Sequence, residues 1–148
     1  MENIIISPIN ASSPDFPQLW DLREEVLRKP IGRSLKDDDL SRDYVDTFFI
    51  AKHNDKVIGC VGFHHLADET VQLRAMAVYD EWQGKGIGAQ LVNAFEAHAW
   101  SNGYKKIILH ARKVALGFYA GMGYVITSDE FTEVGIPHLI MEKVAAVS

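Results

Sequence analysis

Three glycines fall within five residues in Gln83-Gly84-Lys85-Gly86-Ile87-Gly88, and this short stretch joins a β-rich run to an apolar stripe of helical period. That junction limits the folds open to the chain. Residues 70–79 read as a strand. Ile87, Leu91, Phe95 and Ala99 recur every fourth residue until Asn102 and Gly103 close a helix over 86–100. Residues 106–111, with Ile107, Ile108 and Leu109, follow as a buried strand, so the middle of the chain is a strand–helix–strand crossover. At the start of the helix, first-turn amides have no intrahelical partner. Glycines let backbone N–H groups approach an anion there, the helix dipole favours negative charge, and Lys85 adds a cation. The turn is a candidate phosphate site.

The kind of phosphate is narrowed by what surrounds it. No Ser or Thr follows Lys85 in the register of a nucleoside-triphosphate loop, which excludes the usual NTPase. A dinucleotide fingerprint is met literally by Gly84, Gly86 and Ala89. However, the acidic residue expected about 20 residues on is replaced by His110, Ala111 and Arg112.

Elsewhere the pattern is mixed α/β. Residues 3–7 form an Ile-rich strand candidate. Ser13 before Pro14 reads as an N-cap, and Leu19, Leu22 and Val26 mark a first helix that Pro30 stops. Residues 31–46 are polar and acidic, with Asp37, Asp38 and Asp39 in a row, and predict a loop with a short helix lying over the core. Residues 47–53 and 56–64 are β-rich runs separated by Asn54 and Asp55, a hairpin signal. Residues 114–122 predict a short helix ending at Gly123, and 124–127 and 138–143 predict two last strands.

With 148 residues, 47% hydrophobic and 24% charged, one domain over 1–148 is the expectation. The single Cys60, in a buried-looking strand, reads as a small hydrophobe rather than a nucleophile. With no internal bridge available and no basic, apolar leader after Met1, a cytoplasmic location is expected. No apolar run approaches the ~20 residues of a membrane span. A net charge of −5 gives no reason to approach nucleic acid. His64 and His65 are adjacent on a strand and face opposite sides, and the six His lack ligand spacing, so no metal site is expected.

Two motifs in order carry a family resemblance. Gln83-x-x-Gly86-x-Gly88, after Leu73-Arg74-Ala75-Met76-Ala77-Val78, resembles the acetyl-CoA signature of GNAT-superfamily N-acetyltransferases. Ala115-Leu116-Gly117-Phe118-Tyr119 followed by Gly123-Tyr124 is similar to the family's second segment. Leu22-Arg23 and the stretch from Glu133 through His138 to Met141 resemble the small ElaA-like branch. The resemblance implies an α/β GNAT-like fold, with a mixed, largely antiparallel sheet whose central strands splay and are flanked by helices. It implies N-acetyl transfer from acetyl-CoA to an amine, small molecule or peptide, by direct transfer in a ternary complex. A non-catalytic module binding CoA or a dinucleotide is the alternative, and the oligomeric state, monomer or homodimer, is open.

The same resemblance implies roles for particular residues. Main-chain groups of Met76, Ala77 and Val78 would pair with the pantetheine arm, and amides of Gln83, Gly84, Lys85, Gly86, Ile87 and Gly88 would hold the pyrophosphate. Tyr119 matches the position that protonates the departing thiolate, a task suited to a phenol that is neutral at pH 7. Glu133, His138 and His110 are the candidates for the base that frees the amine. Arg112 stands where the family commonly has Asn and could reach the cofactor through its guanidinium. Arg23 could hold a substrate carboxylate or pair with Asp21 or Glu24 on the helix surface.

Overall fold

The structure, a computed structural model, describes residues 3–146. Its strands are β1 (Ile5–Ile9), β2 (Thr47–His53), β3 (Lys56–Ala67), β4 (Thr70–Val78), β5 (Lys106–Arg112), β6 (Val125–Ile126), β7 (Phe131–Glu133) and β8 (Ile136–Val144). Helices α1 (Phe16–Arg23), α2 (Ile87–Ser101) and α3 (Leu116–Gly121) pack around them. The sheet order is β1-β2-β3-β4-β5-β8-β6, with β7 on the outer edge of β8 beside β6. Only β4 and β5, joined through α2, pair in parallel; every other pairing is antiparallel. The mixed, largely antiparallel α/β sheet expected from the sequence is present.

Side-chain alternation on β2 separates two cores. Phe48 and Ile50 point to one face, where Leu19 and Leu22 of α1 bury with Val57, Cys60 and Ala77. Phe49 and Ala51 point to the other, where α2 buries Leu91, Val92, Phe95 and Ala99 against Ile58, Val71, Leu73, Ile107 and Leu109. Each fully buried Leu or Phe contributes about 1.5–3 kcal/mol, which makes these two layers the main hold on the sheet.

The β2–β3 hairpin turns on Asn54 (φ 49°) and Asp55 (φ 67°), residue types that accept the left-handed region a two-residue turn requires. Several boundaries differ from expectation. The first strand runs two residues later than 3–7. The residue capping α1 is Asp15, with Pro17 in the first turn, because Ser13 spends its hydroxyl on the Asp15 N–H (3.2 Å). The first helix does not continue to Pro30 as α-helix; it widens at Glu24–Arg28 into a π turn and tightens at Lys29–Ile31 into a 3₁₀ turn ending on left-handed Gly32. Residues 31–46 hold two short 3₁₀ turns, Leu35–Asp37 and Ser41–Tyr44. The sequence reading missed β7, which folds back on β8 through Val134 (φ 47°) and Gly135 (φ 78°).

Candidate active site

Pairing between β4 and β5 covers Thr70–Leu73 against Lys106–Leu109 and then stops, while β5 goes on pairing with β8 as far as Arg112 opposite His138. On its other edge β4 stays with β3, through a bulge: Cys60 faces Ala77 but Gly62 faces Arg74. The extra residue bends β4 away from β5. Ala75 at the bulge has φ 53°, a conformation costing an L-residue roughly 1–2 kcal/mol. The thiol of Cys60 donates to its carbonyl (3.2 Å). The result is a cleft of about 660 Å³ between the parted strands, the splay that the resemblance implied. Met76 and Val78 pack against the α2 core and Ala77 lies in the α1 core. No described strand pairs with the β5-facing edge of these three residues.

The glycine turn lies beyond the end of β4. Gln83 braces it, its amide donating to the Val78 carbonyl (2.9 Å) and to Asp80 Oδ1 (3.2 Å). Gly84 (φ 77°) and Gly86 (φ 81°) occupy the left-handed region, and a Cβ at either would meet nothing within 4 Å, so the space before them is open. The first helical closure of α2 is Gln90 N–H to the Gly86 carbonyl (3.1 Å), which leaves the amides of Ile87, Gly88 and Ala89 without intrahelical acceptors. Gly88 has a different task, since a Cβ there would sit 3.4 Å from Phe118. The Lys85 ammonium lies 5.5 Å from the Trp82 ring centroid.

Phe118 and Tyr119 of α3 reach the cleft from the α2 side. Tyr119 is buried and its ring sits edge-on to Phe118 and Tyr124. Burial pushes its phenol well above the ordinary value, with Arg112 opposing the shift. Its hydroxyl donates to no described residue, unlike that of Tyr124, which is tied to Glu96 at 2.8 Å.

The three candidate bases come together. Antiparallel register places Arg112 opposite His138, His110 opposite Ile140, Phe131 opposite His138 and Glu133 opposite Ile136, so one face collects His110, Arg112, Phe131, Glu133 and His138. His110 Nδ1 lies 2.8 Å from Glu133 Oε1, and His138 Nε2 lies 3.7 Å from Oε2. The hydrogen bond from His110 holds the Glu133 carboxyl below its ordinary value, more strongly than burial raises it. His138 Nδ1 faces the Ile136 carbonyl (2.9 Å), an acceptor, so that nitrogen carries the proton. A carboxylate is likewise acceptor-only, so His110 Nδ1 donates, which in the neutral ring leaves the lone pair on Nε2.

Arg23 is not on the helix surface, and it pairs with neither Asp21 nor Glu24. It is 3% exposed and donates from Nη1 to Asp43 Oδ2 (2.8 Å). Asp43 also accepts from Arg74 (2.7 Å), whose Nε reaches Asp46 (2.7 Å), and Asp46 meets His64 (2.6 Å). Arg23 and Arg74 each lie 5.3 Å from the centroid of Phe48. Sequence reasoning gave Asp43, Asp46 and Arg74 no role; an arginine inside the otherwise apolar run 73–78 of β4 was the available signal. Arg112 donates from Nη2 to the Leu27 carbonyl (2.8 Å), tying β5 to the π turn, and burial lowers its pKa. Cys60 is sealed in the core, its thiol pushed up to about 12 by burial. His64 and His65 do face opposite ways, toward Asp46 and toward the Tyr104 hydroxyl (2.7 Å). No described helix is long and apolar enough to cross a membrane.

Known proteins share this fold. The family model for the acetyltransferase (GNAT) domain matches residues 21–145. Human N-acetyltransferase 8B is 28% identical over 133 residues, covering 80% of this chain and 59% of that protein. The chain spans about three fifths of the length of that relative and of Bacillus subtilis YyaT. Among solved structures, Escherichia coli ElaA matches with TM-score 0.84 at 20% identity, over 95% of this chain and 99% of that one, a likeness of fold. A GNAT family acetyltransferase from Elizabethkingia anophelis with acetyl-CoA bound matches with TM-score 0.74 at 25% identity, over 98% and 100%.

Proposed function

The chain belongs to the GNAT family of acetyltransferases, and we propose that it moves an acetyl group from acetyl-CoA directly to the nitrogen of an amine in the cleft between β4 and β5. The observation that carries this reading is the parting of the two strands after Leu73 and Leu109, with Tyr119, whose hydroxyl bonds to no described residue, lining the cleft so formed. The unpaired edge of Met76, Ala77 and Val78 can receive the amide groups of the pantetheine arm as an added strand would. Open space before Gly84 and Gly86, with the amides of Ile87, Gly88 and Ala89 lacking intrahelical acceptors, suits the pyrophosphate. The acetyl-CoA bound to the Elizabethkingia relative supports the same choice of cosubstrate.

Acetyl-CoA supplies an activated carbonyl whose bond to sulfur breaks as the new bond to nitrogen forms. His110 Nε2 takes the proton from the attacking amine, and Glu133 holds the ring in that tautomer and supports the cation formed. Tyr119, kept neutral by burial, donates its proton to the sulfur as it leaves. The proton held on His110 then returns to Tyr119 through solvent, which restores both groups. His138, against Glu133 Oε2, fixes that carboxylate from its other side. Cys60 takes no part, since its thiol is buried and protonated.

The test is incubation of the purified chain with acetyl-CoA and a panel of primary amines, following free CoA by its thiol and N-acetylated product by mass spectrometry. Enzyme-dependent formation of both in equal amounts is expected. Binding of acetyl-CoA with no product from any amine would favour a non-catalytic CoA-binding module.

A further inference from the structure

The two ends of the cleft differ in charge. Arg23, Arg28, Arg42, Arg74 and Arg112 line it against Asp38, Asp39 and Glu133, in a protein whose net charge is −5. Arg28 is satisfied at the rim by a forked contact with Asp38 (2.7–3.2 Å). The closed end, where β4 and β5 still pair, is different. Gln72, opposite Ile108 just before the strands part, accepts there from Arg42 Nη1 (3.1 Å), the one hydrogen bond the Arg42 guanidinium makes among the described residues. Asp43, next to Arg42 in sequence, is engaged by Arg23 and Arg74, and Asp39, three residues before it, accepts from the Ser41 N–H (3.0 Å). Two residues along the same face of β4, Arg74 shares Asp43 with Arg23. Arg23 and Arg74 thus divide the two buried carboxylates of Asp43 and Asp46 between them, with Asp46 also meeting His64, while the Arg42 guanidinium donates to the neutral Gln72 amide. Within this group Arg23 Nε is shielded from solvent and has no hydrogen-bond acceptor, which is rare for a buried donor on a charged group.

We infer that the closed end of the cleft is an anion subsite built by Arg23, Arg42, Arg74 and Gln72, and that the acceptor is a small amine carrying a carboxylate. The inference rests on the acetyltransferase reading and names the class of acceptor for it. Coenzyme A does not account for the charge. Its phosphates belong with the glycine turn outside the cleft, and the part that reaches Tyr119 is a neutral thioester. A planar guanidinium set matches a carboxylate in shape as well as sign. Gln72 and His110 are one strand step apart across the β4–β5 register, with His110 two residues beyond Ile108, about 7 Å along the chain. An acceptor anchored at Arg42 therefore presents its amine to His110 when amine and carboxylate are a few bonds apart. The cleft volume of about 660 Å³ suits such a molecule and falls within the range of small-ligand sites.

The experiment compares matched acceptors: the common α-amino acids, β-alanine and 4-aminobutyrate, each against the amine it yields on loss of CO₂, with acetyl-CoA binding measured in parallel by calorimetry. At least tenfold higher kcat/KM for acid-bearing members is expected. Arg42→Gln, at an exposed position that leaves the buried pairs intact, should raise KM for the best acid about tenfold with kcat nearly unchanged. It should leave the decarboxylated partner unaffected. Arg23→Lys is the second variant, and it should show the same split with a larger rise in KM. Equal or better turnover of the decarboxylated amines, or an Arg42→Gln effect equal on both partners, would overturn the subsite. So would silence from the whole panel with acetyl-CoA still bound, whereas loss of acetyl-CoA binding would overturn the acetyltransferase reading itself.

Discussion

Leu73 of β4 and Leu109 of β5 are the last residues at which the two parallel strands pair, and both side chains anchor in the α2 core. The cleft thus opens from a fixed hinge: the buried leucines hold the strands together at one end while the Ala75 bulge turns β4 aside at the other. Tyr119, His110 and Glu133 all line the space beyond that point.

Tyr119→Phe removes a hydroxyl with no hydrogen bond to any described residue, so folding should survive and the loss should fall on chemistry. We expect kcat to drop about 10²–10⁴-fold, with acetyl-CoA affinity within about threefold of the parent. Burial raises the phenol's pKa. The proton is therefore present across the neutral range and is lost only above pH ~10, the ordinary tyrosine value. Any alkaline limb below that pH should be the same in Tyr119→Phe. A pH–rate series for both proteins checks this.

Glu133→Gln tests the carboxylate behind His110. Because the native carboxyl titrates below its ordinary value, it is ionised throughout pH 6–9 and its help is lost only as pH falls through that lowered value. The variant should be slower than the parent by at least about tenfold throughout pH 6–9. Equal rates anywhere in that window would remove the carboxylate from the mechanism.

Asp43→Ala leaves Arg23 and Arg74 short of their shared partner inside the protein. Breaking a buried pair this way should cost about 3–5 kcal/mol of stability, read by urea unfolding. Lys29→Ala breaks an exposed pair with Glu25 and should leave the midpoint where it was.

Direct transfer requires both substrates to be bound together. Initial rates at several fixed amine concentrations should give intersecting double-reciprocal lines, and iodoacetamide should leave Cys60 unlabelled in the folded protein because its thiol is buried and titrates near 12. Parallel lines with an acetylated enzyme would point to a covalent route.

Features set by neighbours in the chain were legible in the sequence. Asn54-Asp55 marks its hairpin because two successive left-handed residues demand such types, and Gly84 and Gly86 mark theirs for the same reason. The period of α2 was plain because one face is buried along its whole length. The Arg23–Asp43 pair spans twenty residues and exists only because α1 and the Ser41–Tyr44 turn meet over Phe48, which no local pattern records. The short β7 escaped notice because three residues carry little periodicity, yet it delivers Glu133 to His110. Ser13-Pro14 misled because Asp15-Phe16-Pro17 repeats the same polar-residue-then-proline pattern at the helix start, with Pro17 in the first turn.

Calorimetric titration of acetyl-CoA into the parent protein and into Gly86→Asp tests the central claim most directly. Gly86 has φ 81° with open space before it, so aspartate brings both a disfavoured backbone and a negative charge to the place assigned to the pyrophosphate. Saturable one-to-one binding by the parent, lost in the folded variant, is the predicted result. Failure of the parent to bind acetyl-CoA or CoA, or equal affinity in the variant, would contradict it.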